Sequence, residues 1–303
     1  MRIMGSSSSM AIIFLLTLLE LCGLLQSAPL APALYVFGDS LFDSGNNNLL
    51  PTAAKANYRP YGVNFVHGVT GRFTNNRTAA DVIGIIYISC IPLFISITLY
   101  GGVCVGIYVM FLFGKCLSLG EQILLFQKKI IELRSTTYLR RSIALRKYLS
   151  KSIFLFCVGS NDLINYYINS QTIPFFKNTR PSPQTFAQLL VDTLVHHFQV
   201  LPSPINNILQ TLYYLGARKM VMFEVGPIGC MPSLAKTYKH TGKCVEEANQ
   251  LVLEFNKRLS SKLKYLTSTL HGSSFVLGRV NALVYDAIIN PSKYSKFLVP
   301  IIP

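Results

Sequence analysis

Four short apolar runs, each closing on a glycine, constrain this chain more than any other feature. Ala33–Phe37 stops at Gly38, Ile153–Val158 at Gly159, Met220–Val225 at Gly226-Pro227 and Phe275–Leu277 at Gly278. Apart from Glu224 in the third, the runs are apolar throughout and have no wet side, so each reads as a strand buried on both faces, the condition of a parallel sheet. Segments with helical spacing lie between the runs. Phe186, Leu189, Leu190, Thr193, Leu194 and His197 fall on one helical face, and Val245–Leu270 repeats apolar residues at three and four until Gly272 stops it. Strands alternating with helices predict an α/β fold, one parallel sheet covered on both sides. In such sheets ligands gather where the strands end, so the residues just past each glycine are the place to look for chemistry.

With 50% hydrophobic and 14% charged residues, the chain can bury a core and is no disordered polymer. Arg2, the apolar stretch Ala11–Leu19, Glu20, Leu21–Leu25 and the small-residue segment Ser27–Ala33 follow the order of a secretory leader. Residues 1–28 are therefore expected to be a signal peptide of a secreted, extracellular protein, and residues 29–303 a single domain. Export would make Asn76, in the triplet Asn76-Arg77-Thr78, a glycosylation acceptor. Seven cysteines show neither CxxC spacing nor a paired Cys/His set, so no metal site is implied. The formal charge of +15 is not laid out as a basic stripe with interleaved aromatics, which argues against nucleic acid as a partner. From Lys115 to Lys151 nine Lys/Arg stand against Glu121 and Glu132. Two readings of that helical stretch stay open, a solvated face or contact with an anionic membrane or wall polymer.

Gly38-Asp39-Ser40-Leu41 closes the first run and Gly159-Ser160-Asn161-Asp162 the second. Ser40, where a strand is expected to give way to a helix, has the position of a nucleophile, with an exposed hydroxyl and its own N–H left for an oxyanion. It is not the GxSxG elbow, because Phe42 stands where the second glycine would be. A serine that merely caps a helix would leave the same trace. Asn161 offers an amide donor to an oxygen that turns negative during ester cleavage.

Together with Tyr35-Val36-Phe37, Gly45-Asn46-Asn47, Gly71-Arg72-Phe73, Leu215-Gly216-Ala217-Arg218-Lys219, Gly226-Pro227-Ile228-Gly229-Cys230 and Asn290-Pro291, these blocks make the chain resemble the plant-type GDSL esterases/lipases of the SGNH hydrolase superfamily. The likeness covers residues about 34–84 and 117–296. It implies a three-layer α/β/α sandwich, hydrolysis of carboxylic esters of lipids or small acyl compounds through an acyl-serine, and no cofactor. By resemblance Ser40 is the nucleophile, its N–H and Asn161 are oxyanion donors, and Gly38, Asp39, Gly159 and Asp162 support the two blocks. Cys230 and Cys244 match a family pair flanking a loop, which implies a disulfide.

The chain departs from the family twice. Val82–Gly114 runs 33 residues without a charge, where relatives carry a polar, glycine-bearing stretch that presents another oxyanion donor. The preferred reading is a segment foreign to the fold, which leaves the sheet incomplete there and at the C-terminal edge. A membrane hairpin or span and a buried substitute strand are the alternatives. Second, no Asp-x-x-His occurs in the 303 residues, and His67, His196, His197, His240 and His271 read as structural or solvated. A serine without its base keeps only residual catalysis, so little esterase activity is expected, with a non-catalytic binding remnant as the rival.

Overall fold

The computed structural model describes residues 30–88, 98–99, 117–196 and 208–294. Its centre is a five-stranded parallel sheet in the order β2-β1-β3-β4-β5. The strands are β1 (Leu34–Gly38), β2 (Thr98–Leu99), β3 (Ile153–Cys157), β4 (Lys219–Phe223) and β5 (Ser274–Gly278). Helix α1 (Ala79–Ile88) precedes β2, and α2 (Leu119–Ser135) and α3 (Ser142–Lys151) lead to β3. Then come α4 (Ser160–Thr172), α5 (Pro174–Thr179), α6 (Pro183–His196) and α7 (Ile208–Leu215) before β4. Helices α8 (Pro232–Thr237) and α9 (Glu246–Thr269) precede β5, and α10 (Asn281–Ile289) follows it. All four apolar runs are strands, and the expected helix over 245–270 is α9.

The order of strands places the site. From β1 the chain leaves toward β2, whereas from β3 it leaves in the other direction toward β4. The carboxyl ends of β1 and β3 therefore flank the point where the winding reverses, the crevice in which open α/β sheets bind ligands.

Side chains alternate across the sheet. Tyr35 and Phe37 of β1 stack on Phe154 and Phe156 of β3, with ring centroids 5.0 Å apart in both pairs. Phe126 of α2 meets Tyr35, Phe37 and Phe154 edge-on. This aromatic wedge buries large apolar area and locks the pairing Gly38↔Cys157 at the top of the two strands. Leu163 of α4, Val191 of α6 and Phe255 of α9 join the same core. On the other face Leu34, Val36, Leu155 and Cys157 meet only Phe42, Ala80 and a few partly buried neighbours among the described residues.

One expected helical face needs correction. In α6, Phe186, Ala187, Val191 and Leu194 are buried, whereas Leu189 is half exposed. Leu189 lies at the edge of the apolar arc and lines a groove with Gln184 and Asp192 instead. His197 lies outside the described residues. Of the uncharged stretch 82–114, Val82–Ile88 belongs to α1 and Thr98–Leu99 forms β2, paired with Tyr35 and Val36. Residues 89–97 and 100–114 lie outside the described residues. Among the described residues no helix is long and apolar enough to cross a membrane.

Candidate active site

Gly38, the last residue of β1, can only be glycine: a Cβ there would lie 2.6 Å from the Cys157 carbonyl oxygen. Its backbone is clamped by Gln122 of α2, which is fully buried. The Gln122 Oε1 accepts the Gly38 N–H at 3.0 Å, and the Gln122 Nε2 donates to the Gly38 carbonyl at 3.0 Å. The carboxamide does for the end of β1 what a neighbouring strand would do. An equivalent clamp closes the apolar run at β4, where Asn256 of α9 accepts the Val225 N–H and donates to its carbonyl, both at 2.9 Å.

Asp39 ties the two motifs together. Its N–H donates to the Cys157 carbonyl at 3.1 Å, its Oδ1 accepts the Leu41 N–H at 3.0 Å, and its Oδ2 accepts the Ser160 hydroxyl. Ser40 and Asn161 are thus each one residue beyond a directly bonded pair, on the carboxyl rim of neighbouring strands, and both are partly exposed. Among the described residues nothing accepts the Ser40 N–H or hydroxyl. Asn161 stands in the first turn of α4, whose N-cap Gly159 has φ 104°, a conformation that favours glycine.

The expected strand-to-helix junction at Ser40 is not what forms. Overlapping turns, Phe42 N–H to Asp39 O and Asp43 N–H to Ser40 O, lead to a 3-10 turn at Asn46–Leu49, and Ser40 caps no helix. The cause is Asp43, which is buried and gathers the N–H groups of Gly45, Asn46 and Asn47 onto its carboxylate. Arg72 then braces this loop, donating to the Ser44 carbonyl and forking onto both oxygens of Asp81 at 2.8 and 2.9 Å. Burial alone would push the Asp81 carboxyl up, but bonds from Arg72 and Thr78 outweigh it and hold it below the ordinary range.

The rim carboxyls behave differently. Burial raises Asp39, against the Ser160 and Leu41 bonds that favour its charged form. Asp162 is pushed up to about 7 by burial, with the nearby Asp39 charge adding to it. Its Oδ1 has no hydrogen-bond partner. Two carboxyls sunk this close together resist ionising at once.

Cys230 and Cys244 are bonded to each other, 14 residues apart, on either side of α8 in the segment between β4 and α9. Asn76 is partly exposed, and the Thr78 hydroxyl of its triplet donates to Asp81. His271 precedes β5 and so lies at the amino end of the sheet, away from Ser40. His240 is exposed and bonded to the Tyr238 carbonyl, and His67 packs on Phe65. Grooves of about 380 and 410 Å³ lie against α6 and α9 rather than at the rim, and of their charged lining residues Arg258 pairs with Glu254 and Lys262 with Asp192. The residues that sequence reading missed are Gln122, Asn256 and the Ser160 hydroxyl.

A family profile described as GDSL-like lipase/acylhydrolase matches residues 34–295, through both strand-end blocks. The chain belongs to that family. It is 39% identical over 282 residues to GDSL esterase/lipase 7 of Arabidopsis thaliana, covering 88% of this chain and 73% of the relative. It is 34% identical over 288 residues to GDSL esterase/lipase At5g08460 of the same plant, covering 89% and 70%. By family the chain is a GDSL-type esterase/lipase, a carboxylic ester hydrolase, and its parallel sheet flanked by helices agrees with the SGNH-like fold.

Proposed function

We propose that Ser40 is the nucleophile of a GDSL-type esterase and that Asn161 and the Ser40 N–H hold the oxyanion. The observation that carries this is the double tie from Asp39 to Cys157 and Ser160, which fixes the residues after Asp39 and Ser160 on one rim. The Ser40 oxygen attacks the ester carbonyl carbon and the carbonyl oxygen takes the negative charge beside the two donors. The alcohol leaves, and water later releases the acyl group. Without a histidine base the Ser40 proton passes to bulk water, and water returns a proton to the departing alkoxide. The 303 residues contain no Asp-x-x-His, so this chain by itself turns over esters slowly. The Cys230–Cys244 disulfide supports export, because such bonds persist in oxidising compartments.

The test incubates the 303-residue chain with a fluorophosphonate, maps the adduct by mass spectrometry, and measures hydrolysis of a short-chain aryl ester. Slow labelling confined to Ser40, with turnover well below the usual range of about 1–1,000 per second, is expected. Ser40→Ala abolishes what remains, and Asn161→Ala lowers it about 100- to 1,000-fold. Turnover that survives Ser40→Ala sinks the assignment. Equal binding of an acyl ligand by wild type and Ser40→Ala, with no adduct, favours a non-catalytic remnant, the reading suggested by a Ser40 hydroxyl with no partner among the described residues.

A further inference from the structure

We infer that the corner between α2 and α3 docks onto an anionic lipid bilayer. Among the large hydrophobic side chains of the described residues, Tyr138 at 84% and Ile143 at 83% are two of the three most exposed, and Ile131 is 70% exposed. A single exposed apolar side chain needs no explanation, but these three flank one turn and each stands among cations. On α3 the core takes Leu145 and Leu149, which turns Ile143 outward, and Arg146 and Lys147 follow it at three and four on that outward face. On α2 Lys128, Ile131 and Arg134 repeat the arrangement at intervals of three, and Arg140 and Arg141 lie in the turn between.

Lys129 is paired with Glu132 at 2.8 Å. Among the described residues Lys128, Arg134, Arg140, Arg141, Arg146 and Lys147 are exposed and form no ion pair. Uncompensated cations draw a surface toward anionic headgroups, and aliphatic and aromatic side chains between them enter the headgroup layer. An anionic polysaccharide would use the cations but has nothing to offer two isoleucines, so the combination selects lipid.

The corner is remote from the catalytic rim. Gln122, near the start of α2, bonds Gly38 at the carboxyl end of β1, while Tyr148 of α3 bonds the Pro32 carbonyl before its amino end. Helix α2 from Gln122 to Ser135 is roughly 20 Å long at about 1.5 Å per residue. Docking therefore tethers the protein with Ser40 turned away from the bilayer, toward substrates arriving from the aqueous side.

The experiment is co-sedimentation of the full chain with phosphatidylcholine vesicles, with and without phosphatidylserine at about one lipid in three, near physiological ionic strength. The wild type pellets with the anionic vesicles and hardly with the neutral ones. The triple substitution Ile131→Ser, Tyr138→Ser, Ile143→Ser leaves the net charge unchanged and lowers anionic-vesicle affinity at least about tenfold. Arg140→Glu with Arg141→Glu lowers it more, at about fivefold or greater per reversed charge. The same reversal at exposed Lys257 and Lys264 of α9 has a clearly smaller effect. All these positions are exposed, and circular dichroism checks each variant. Three results overturn the inference: equal loss from the α9 reversal, which would make the binding a property of total charge; full affinity in the triple-serine variant; or no wild-type binding to anionic vesicles while soluble polygalacturonate is bound.

Discussion

The two faces of the sheet contain equally apolar strand residues but have unequal cover among the described residues. On one, Phe37, Phe126, Phe154 and Phe156 are fully buried. On the other, Leu34, Val36 and Leu155 are buried near β1 and β3, but Val276 of β5 is 50% exposed, and the burial of β5 alternates where that of β1 does not. Among the described residues the first face has α2, α3, α4, α6, α7, α8 and α9 against it, whereas the second is met by α1 and Phe42. The difference teaches that an apolar strand states a demand for cover, which the described helices meet far more fully on the first face than on the second. The turn at Ser40 rises from the strands with the best-covered face.

The largest expected effect is Phe156→Ala. It opens a cavity in the covered face and costs about 3–5 kcal/mol in denaturant unfolding. Gln122→Ala follows, at about 2–4 kcal/mol, because it leaves the Gly38 N–H and carbonyl buried without partners. If its cost is below about 1 kcal/mol, the clamp contributes nothing to the first face. The rim above both faces responds to pH. Asp162 has a folded pKa of about 7 against an ordinary 3.8, so the folded state binds its proton more tightly than the unfolded chain does. The contribution of Asp162 to stability is accordingly full below about pH 4 and is lost as pH rises toward 7. Asp162→Asn flattens that decline and raises stability at pH 8 by on the order of 1–3 kcal/mol, read from midpoints measured across the pH range. Asp39 and Asp43, both raised by burial, add to the residual slope in the same direction, and Asp81, held low, opposes it. Smallest is Val276→Ala, under about 1 kcal/mol. A cost equal to that of a fully buried valine would show that the second face is as well covered as the first.

The fold was legible because it rests on short-range pattern. Uniform apolarity marks β1, β3, β4 and β5, and spacing of three and four marks α9. The two-residue strand β2 was not legible as a strand, since it sits inside a long uncharged stretch with no period of its own. At the site, the motifs place Ser40 and Asn161 at strand ends, yet the same pattern predicts a helix start after Ser40 that does not form. Asp43 decides that turn by binding three N–H groups, a local choice that apolar spacing does not encode. Gln122 was invisible for another reason. Its partner is 84 residues away, and a glutamine on a helix reads as a surface residue until the sheet is assembled beside it. The same holds for Asn256 and Val225, 31 residues apart.

Helix α2 runs unbroken from the residue that grips Gly38 to the last basic turn at Arg134. It works as a strut. Its hydrogen-bonded backbone is one continuous covalent and hydrogen-bonded span between the basic corner and the base of the serine turn, so both ends share a single rigid element.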